Sequence, residues 1–325
     1  MSKQTALVTG IGGFVGGYLT EHLVGQDVAV VGVIRPGGHR PSELAGLDQV
    51  EMEEQDLSDG DQVAACIERV QPDLIFHLAA QSFVPQSWSD PAGTIVNNIV
   101  VQLRVLEGAL RANVHPRIVI AGSNEEYGMI RPDELPVRES NELRPVSPYA
   151  VSKVAQDMLA YQFYVSHKLH CVRMRPFNHT GPRQSSSFAV PGFARQVAEA
   201  EAGLREPIVH VGNLDARRDL TDVRDIVRGY YLAALHGQAG EAYNLGSGRA
   251  ISMAEALQFF VTRSTRPLTV IDDPERQRPA DVPVTICDYS KFHTLTGWRP
   301  QIPIERTFED ILEYWRSQVK ATRVL

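Results

Sequence analysis

Tyr149 and Lys153 stand four residues apart in Ser147-Pro148-Tyr149-Ala150-Val151-Ser152-Lys153. On a helix that spacing places a phenol and an ammonium on one face. Ser147 is a good N-cap and Pro148 suits the first helical position, so a helix is expected to start there. A phenol of ordinary pKa, about 10, is a poor acid or base at neutral pH. A neighbouring ammonium favours the phenolate and lowers that value, so the pair can exchange a proton with a carbonyl oxygen as a hydride arrives or leaves. Taken alone, the spacing also fits an amphipathic helix with a lysine reaching for water. A third group, Ser123, lies in Ala121-Gly122-Ser123-Asn124-Glu125-Glu126-Tyr127-Gly128, just after a strand-like run. Its hydroxyl could bond the same carbonyl oxygen; the plainer alternative is a polar turn.

Thr9-Gly10-Ile11-Gly12-Gly13-Phe14-Val15-Gly16 follows the first strand-like run and opens the first helix-like stretch. Glycines at 10, 13 and 16 permit a tight turn, close backbone approach to a pyrophosphate, and close packing of helix on strand. The helix N-terminus would present free N–H groups to the phosphates. The second strand-like run ends in Arg35, where a carboxylate would suit NAD and an arginine suits the extra phosphate of NADP. NADP is therefore the expected cofactor, with NAD also open and Arg40 as support; a solvated surface arginine is the alternative. Asp56 and Leu57 follow a third strand-like run and precede the second helix-like stretch. Asp56 is either an adenine contact or a helix-start cap together with Ser58.

These groups need elements to position them. Strand-like runs cover 6–8, 28–34, 74–78, 118–121 and 172–175, and helix-like stretches 15–24, 58–70, 93–111 and 148–167. Strands alternating with helices imply βαβ units and a parallel sheet with right-handed crossovers. The strands are apolar on both faces, as in a sheet covered on both sides. The expected fold is α/β, a doubly wound parallel (Rossmann) sheet with a smaller C-terminal α/β domain. After Pro176 the pattern loosens into loops rich in Pro, Gly, Ser and Asn. The expected division is a dinucleotide-binding domain over 1–176 and a second domain over 177–325, with segments near 214–246 returning to the first.

The 325 residues carry 32 Lys and Arg against 39 Asp and Glu, a net charge of −7. That balance argues against nucleic acid as a partner, because phosphate neutralisation needs a basic face. No run approaches the ~18 apolar residues of a membrane span. Three scattered cysteines, Cys66, Cys171 and Cys287, fit a reducing compartment. With no signal-peptide layout in the first residues, a cytoplasmic location is expected. His167-Lys168-Leu169-His170-Cys171 reads as a helix end rather than a metal site, and no CxxC, HExxH or GxSxG pattern occurs.

Taken together, the glycines at 10, 13 and 16, His77-Leu78-Ala79-Ala80, Ser123, and Tyr149 with Lys153 resemble the extended short-chain dehydrogenase/reductase family over nearly the whole chain. The resemblance implies Ser123, Tyr149 and Lys153 as the catalytic set, with Lys153 also holding the nicotinamide ribose. It implies Leu78, Ala79, Ala80 and Asn98 along the cofactor, and His77 as a packed residue. The family often has glycine-threonine soon after that asparagine, whereas this chain reads Asn98-Ile99-Val100-Val101-Gln102. Arg175-Pro176-Phe177-Asn178-His179-Thr180-Gly181-Pro182 resembles the crossing into a sugar-nucleotide domain, with Asn178 as a substrate contact. Val211 through Asp219 resembles the members acting on GDP-mannose derivatives, and Arg278-Pro279-Ala280-Asp281-Val282 resembles a second diphosphate element. There Arg218 and Arg278 could converge on one diphosphate by bidentate contact, and Ser82 and Ser87 join as substrate contacts. Glu125 occupies the position of the dehydratases' acid/base glutamate, while Ser123 stands where those typically carry threonine. The implied activity is NAD(P)H-dependent reduction of GDP-4-keto-6-deoxy-D-mannose to GDP-D-rhamnose; GDP-mannose 4,6-dehydration is the alternative. In the family the helices equivalent to 93–111 and 148–167 pair between subunits, which implies a homodimer or homotetramer.

Overall fold

The computed structural model describes residues 3–276 and 282–324, with side chains to residue 321. Arg278 therefore lies outside the described residues. Six strands build the first part of the main sheet: β1 (Thr5–Thr9), β2 (Ala29–Ile34), β3 (Val50–Glu54), β4 (Leu74–His77), β5 (Arg117–Ala121) and β6 (His170–Pro176). The strand Ala242–Leu245 adds a seventh alongside β6. The order is β3-β2-β1-β4-β5-β6 followed by that strand, and every pairing is parallel. The winding reverses between β1 and β4, so a crevice opens beyond their carboxyl ends.

Alternation along each strand feeds two cores. Ala6, Val8, Leu74, Phe76, Val119, Val172 and Met174 face one; Leu7, Ile75, Ile118, Ile120 and Cys171 face the other. Helices must then cover both sides. On the first side α1 (Phe14–Gly25) lies against the helix Val223–His236. On the second, α2 (Gly60–Val70) and, after the short α3 (Val84–Ser89), the long α4 (Pro91–Arg111) and α5 (Pro148–His167) pack side by side. A separate apolar cluster unites α6 (Ala189–Glu201), Met253–Thr262 and Ile304–Val324 with the strand Ile208–Val211. No helix among the described residues is long and apolar enough to cross a membrane.

β3 is the strand-like run expected just before Asp56, and its bounds are not evident in the sequence pattern. Its residues, Val50-Glu51-Met52-Glu53-Glu54, are mostly polar because it is the sheet's edge and only part of it is covered. The helix ends expected at 147–148 and 167–168 are realised. Ser147 Oγ accepts the Ala150 N–H at 3.1 Å, and Lys168 closes α5 in the left-handed region. His170 Nε2 sits 2.9 Å from the Gly237 carbonyl oxygen and Cys171 is buried.

Candidate active site

The glycine-rich turn joins β1 to α1. Gly10 has φ +75°, a backbone that side chains rarely adopt. A Cβ at Gly16 would lie 2.3 Å from the Gly10 carbonyl oxygen, so helix and turn touch through backbone. Gly13 is the N-cap of α1 and makes no side-chain cap. A Cβ there would meet only Gly10 O, at 3.2 Å, so this glycine faces open space. The uncapped N–H groups and the positive end of the helix fit a diphosphate. Phe14 lies parallel to His179, ring centroids 6.3 Å apart, which sets the turn beside the loop carrying Asn178.

At the end of β2, Arg35 is exposed and, among the described residues, forms no ion pair. Arg40 pairs with Glu54 at 3.2 Å, both exposed. The Gly37 N–H and Arg40 hold the Glu54 carboxyl below its usual range. Among the described residues, Arg35 is thus the guanidinium of this loop without an ion pair. Asp56 Oδ1 accepts both the N–H (2.9 Å) and the hydroxyl (2.7 Å) of Ser58, the turn-type cap. Leu57 is half-buried against the α2–α4 core, and α2 itself is capped by Asp59.

Leu78, Ala79 and Ala80 leave the end of β4 across from the turn. Thr9 Oγ1 bridges β1 to this segment, 2.9 Å from His77 Nδ1 and 3.3 Å from the Ala79 N–H. His77 is buried and neutral: burial and the nearby Lys153 charge bring it down to about 3. It is a packed residue, as the resemblance implied. Asn98, wholly buried on α4, fastens the next loop to α5. Its Oδ1 accepts the Gln81 N–H (2.7 Å), and its Nδ2 donates to Gln81 O (3.1 Å) and Ser152 Oγ (2.9 Å). Val101 is accommodated inside an unbroken α4.

Ser123, Tyr149 and Lys153 come together at the carboxyl end of β5, all nearly buried. Lys153 Nζ donates to Ala121 O at 2.7 Å and lies 5.9 Å from the centre of the Tyr149 ring. Ser123 Oγ accepts the Glu125 N–H at 3.1 Å. The electrostatics differ from the sequence expectation of a phenol lowered by its lysine. Burial raises the Tyr149 phenol; the Ser123 hydroxyl opposes this, and Glu125 and Glu126 add to it. The ammonium lies against the ring and is tied to a main-chain oxygen, so desolvation prevails. Lys153 is itself drawn down to about 8 by burial, with Glu126 opposing. The phenol is consequently kept protonated, ready to give its proton.

On the facing side Asn178 is half-buried, with Oδ1 enclosed and without a hydrogen-bond partner among the described residues. A buried acceptor left open is costly, so it suits a ligand donor. Arg218 Nη1 donates to Val282 O (2.6 Å) and Arg217 O (3.0 Å). Ser82 is exposed. Ser87 is buried and its hydroxyl donates to Val84 O (2.7 Å) within α3, so its proton is used inside its own helix.

Fold and site together define a short-chain dehydrogenase/reductase of Rossmann type. Within that class the chain belongs to the family described as GDP-mannose 4,6 dehydratase, matched over residues 7–311. It is 31% identical to a GDP-6-deoxy-D-mannose reductase of Pseudomonas aeruginosa, over 98% of this chain and 99% of that protein. It is 27% identical to a GDP-mannose 4,6-dehydratase of Yersinia enterocolitica, over 99% and 96%. Among solved structures, RMD from Pseudomonas aeruginosa complexed with NADPH superposes with a TM-score of 0.84 at 30% identity, covering 97% of this chain and 100% of that one.

Proposed function

We propose that this protein uses NADPH to reduce the 4-keto group of GDP-4-keto-6-deoxy-D-mannose, giving GDP-D-rhamnose. The observation that carries the reading is the meeting of Ser123, Lys153 and a protonated Tyr149 at the carboxyl end of the sheet. The similarity to the Pseudomonas reductase and to its NADPH complex supports the choice of sugar and cofactor. Bound NADPH supplies the hydride. The α1 N-terminus with Gly10, Gly13, Phe14, Val15 and Gly16 holds the diphosphate, and Arg35 the 2′-phosphate. Asp56 and Leu57 lie at the adenine, Leu78, Ala79 and Ala80 along the cofactor, and Lys153 at the nicotinamide ribose, with Asn98 bracing that wall. Tyr149 gives its phenolic proton to O4 while the Ser123 hydroxyl orients the same oxygen. Asn178, Arg218 and Arg278 take the GDP-sugar, with Ser82 and Ser87 at the edge of its site. Most of the acceleration comes from positioning and from stabilising the developing oxyanion.

A second reading, GDP-mannose 4,6-dehydration, is favoured by Glu125, half-buried in the Ser123 turn with its charge acting on Tyr149. That reaction oxidises C4, removes the C5 proton, expels the C6 hydroxyl and returns the hydride, so it consumes no net cofactor. Purified protein given the keto sugar with NADPH, and GDP-mannose with NADP alone, separates the two. Stoichiometric NADPH consumption with the keto sugar supports reduction; a keto sugar formed from GDP-mannose supports dehydration and sinks the first reading. We also propose a homodimer, or a tetramer built from it, joined through α4 and α5. Val151, Met158, Tyr161 and Val165 leave an exposed apolar stripe on α5. A monomer by light scattering contradicts this.

A further inference from the structure

Two carboxylates follow Ser123, and the turn treats them oppositely. Glu125 is half-buried; Glu126 is fully enclosed. Glu126 Oε1 accepts the Ser123 N–H at 2.7 Å. Its Oε2 lies 3.2 Å from Arg175 Nε, an ion pair without hydrogen-bond alignment. Gly122 makes room for it: a Cβ there would stand 2.4 Å from Oε1 and 2.9 Å from Met174 O. Arg175, from β6, also grips Asp157 at 2.7 and 3.3 Å, and Asp157 takes Arg173 at 2.7 Å. Among the described residues, the charged and titratable groups facing Glu126 are Arg175 from β6, Asp157, Lys153 and Tyr149 from α5, and the neighbouring Tyr127. Those facing Lys153 are Glu126, Tyr149 and, from β4, the neutral His77.

Enclosing a carboxylate is costly, and an apolar side chain of similar volume would fill this space without the desolvation. An apolar side chain could not accept the Ser123 N–H or place negative charge near Lys153. We propose that Glu126 is a positioning residue for the proton donor, fixing the Ser123 main chain through one oxygen and holding Lys153 as an ammonium through its charge. The proposal rests on the reading of Tyr149 as that donor. Burial and the negative Asp157 push Glu126 up to about 8, with Arg175 and the Ser123 N–H opposing. Lys153 sits at about 8 from the other direction. The Glu126 charge and the Lys153 charge each favour the charged form of the other. As pH rises, Glu126 releases its proton and the new charge strengthens the hold of Lys153 on its own.

Glu126→Gln keeps an acceptor for Ser123 and removes the charge. The chain has only five lysines, so lysine labelled with 13C at Cε can be followed by NMR, with Lys153 assigned by loss of its signal in Lys153→Met. The expected result is a Lys153 midpoint at least about half a pH unit lower in Glu126→Gln than in wild type. An unchanged midpoint overturns the proposal. Should the variant fail to fold, the wild-type Ser123 amide decides. A 15N shift that steps over the same pH range as Lys153 supports the coupling, and a flat one from about pH 6 to 10 overturns it. No sugar nucleotide is needed, so this outcome is separate from the success or failure of the reductase reading.

Discussion

Alanine at Gly13 and alanine at Gly16 separate the two tasks of the β1–α1 turn. At Gly16 the added Cβ would lie 2.3 Å from Gly10 O, 2.7 Å from Ile11 Cα and 2.8 Å from Ile11 O. All three are backbone atoms, so no side chain can swing away. An ordinary contact is about 3.5 Å, so the turn has to open by roughly 1 Å. Overpacking of that kind costs about 1–3 kcal/mol. For a chain of this length each kcal/mol is worth roughly 2 °C, giving a Tm fall of roughly 2–6 °C. At Gly13 the Cβ would meet only Gly10 O, at 3.2 Å, and the backbone, φ −87° and ψ 170°, is ordinary for alanine. That methyl enters the space assigned to the diphosphate. Gly13→Ala should therefore melt within about 1 °C of wild type while its NADPH Kd rises at least tenfold, about 1.4 kcal/mol. Differential scanning fluorimetry and titration of NADPH fluorescence read both quantities. Wild-type NADPH affinity in Gly13→Ala would refute the placement of the diphosphate at this helix end, and a wild-type Tm in Gly16→Ala would refute the contact argument.

Tyr149→Phe removes the proton and little volume: kcat for keto-sugar reduction should fall about 100-fold or more with NADPH affinity within about twofold, and near-normal turnover would show that another group is the acid. Arg35→Ala should raise the KM for NADPH about tenfold and leave that for NADH within about twofold, since only the former carries the phosphate that the guanidinium would fork; equal changes count against the assignment. Asn98→Ala strands the Gln81 N–H and carbonyl and loosens Ser152, a cost of about 1–3 kcal/mol. Its Tm and its turnover should both drop, and an unchanged Tm contradicts the bracing role.

Where local chemistry dictates structure, the sequence was readable. Ser147-Pro148 announces the start of α5, and a glycine turn after an apolar run announces β1–α1. The same holds for the doubly covered strands, whose both faces are apolar. The bounds of β3 were hidden because an edge strand needs little apolar surface, and Val50–Glu54 has little. Tyr149, Lys153 and Ser123 could be selected from spacing and resemblance, but the direction of the phenol's shift could not. It depends on how deeply α5 is buried and on the Lys153 ammonium being tied to Ala121 O. Nothing in the run Glu125-Glu126 tells which carboxylate turns inward; that is decided by Gly122, Arg175 and Asp157, brought together from three elements. Spacing also does not reveal that Arg218 Nη1 donates to Val282 O, a contact between distant segments.

The central claim is that hydride passes from NADPH to C4 of a GDP-linked keto sugar beside Tyr149. NADPH carrying deuterium at both C4 positions of its nicotinamide, incubated with the protein and GDP-4-keto-6-deoxy-D-mannose, tests it by mass and NMR analysis of the product. One deuterium at C4 of a GDP-6-deoxyhexose, absent with Tyr149→Phe, is the predicted result. An unlabelled sugar, or label entering equally with the phenylalanine variant, would contradict it.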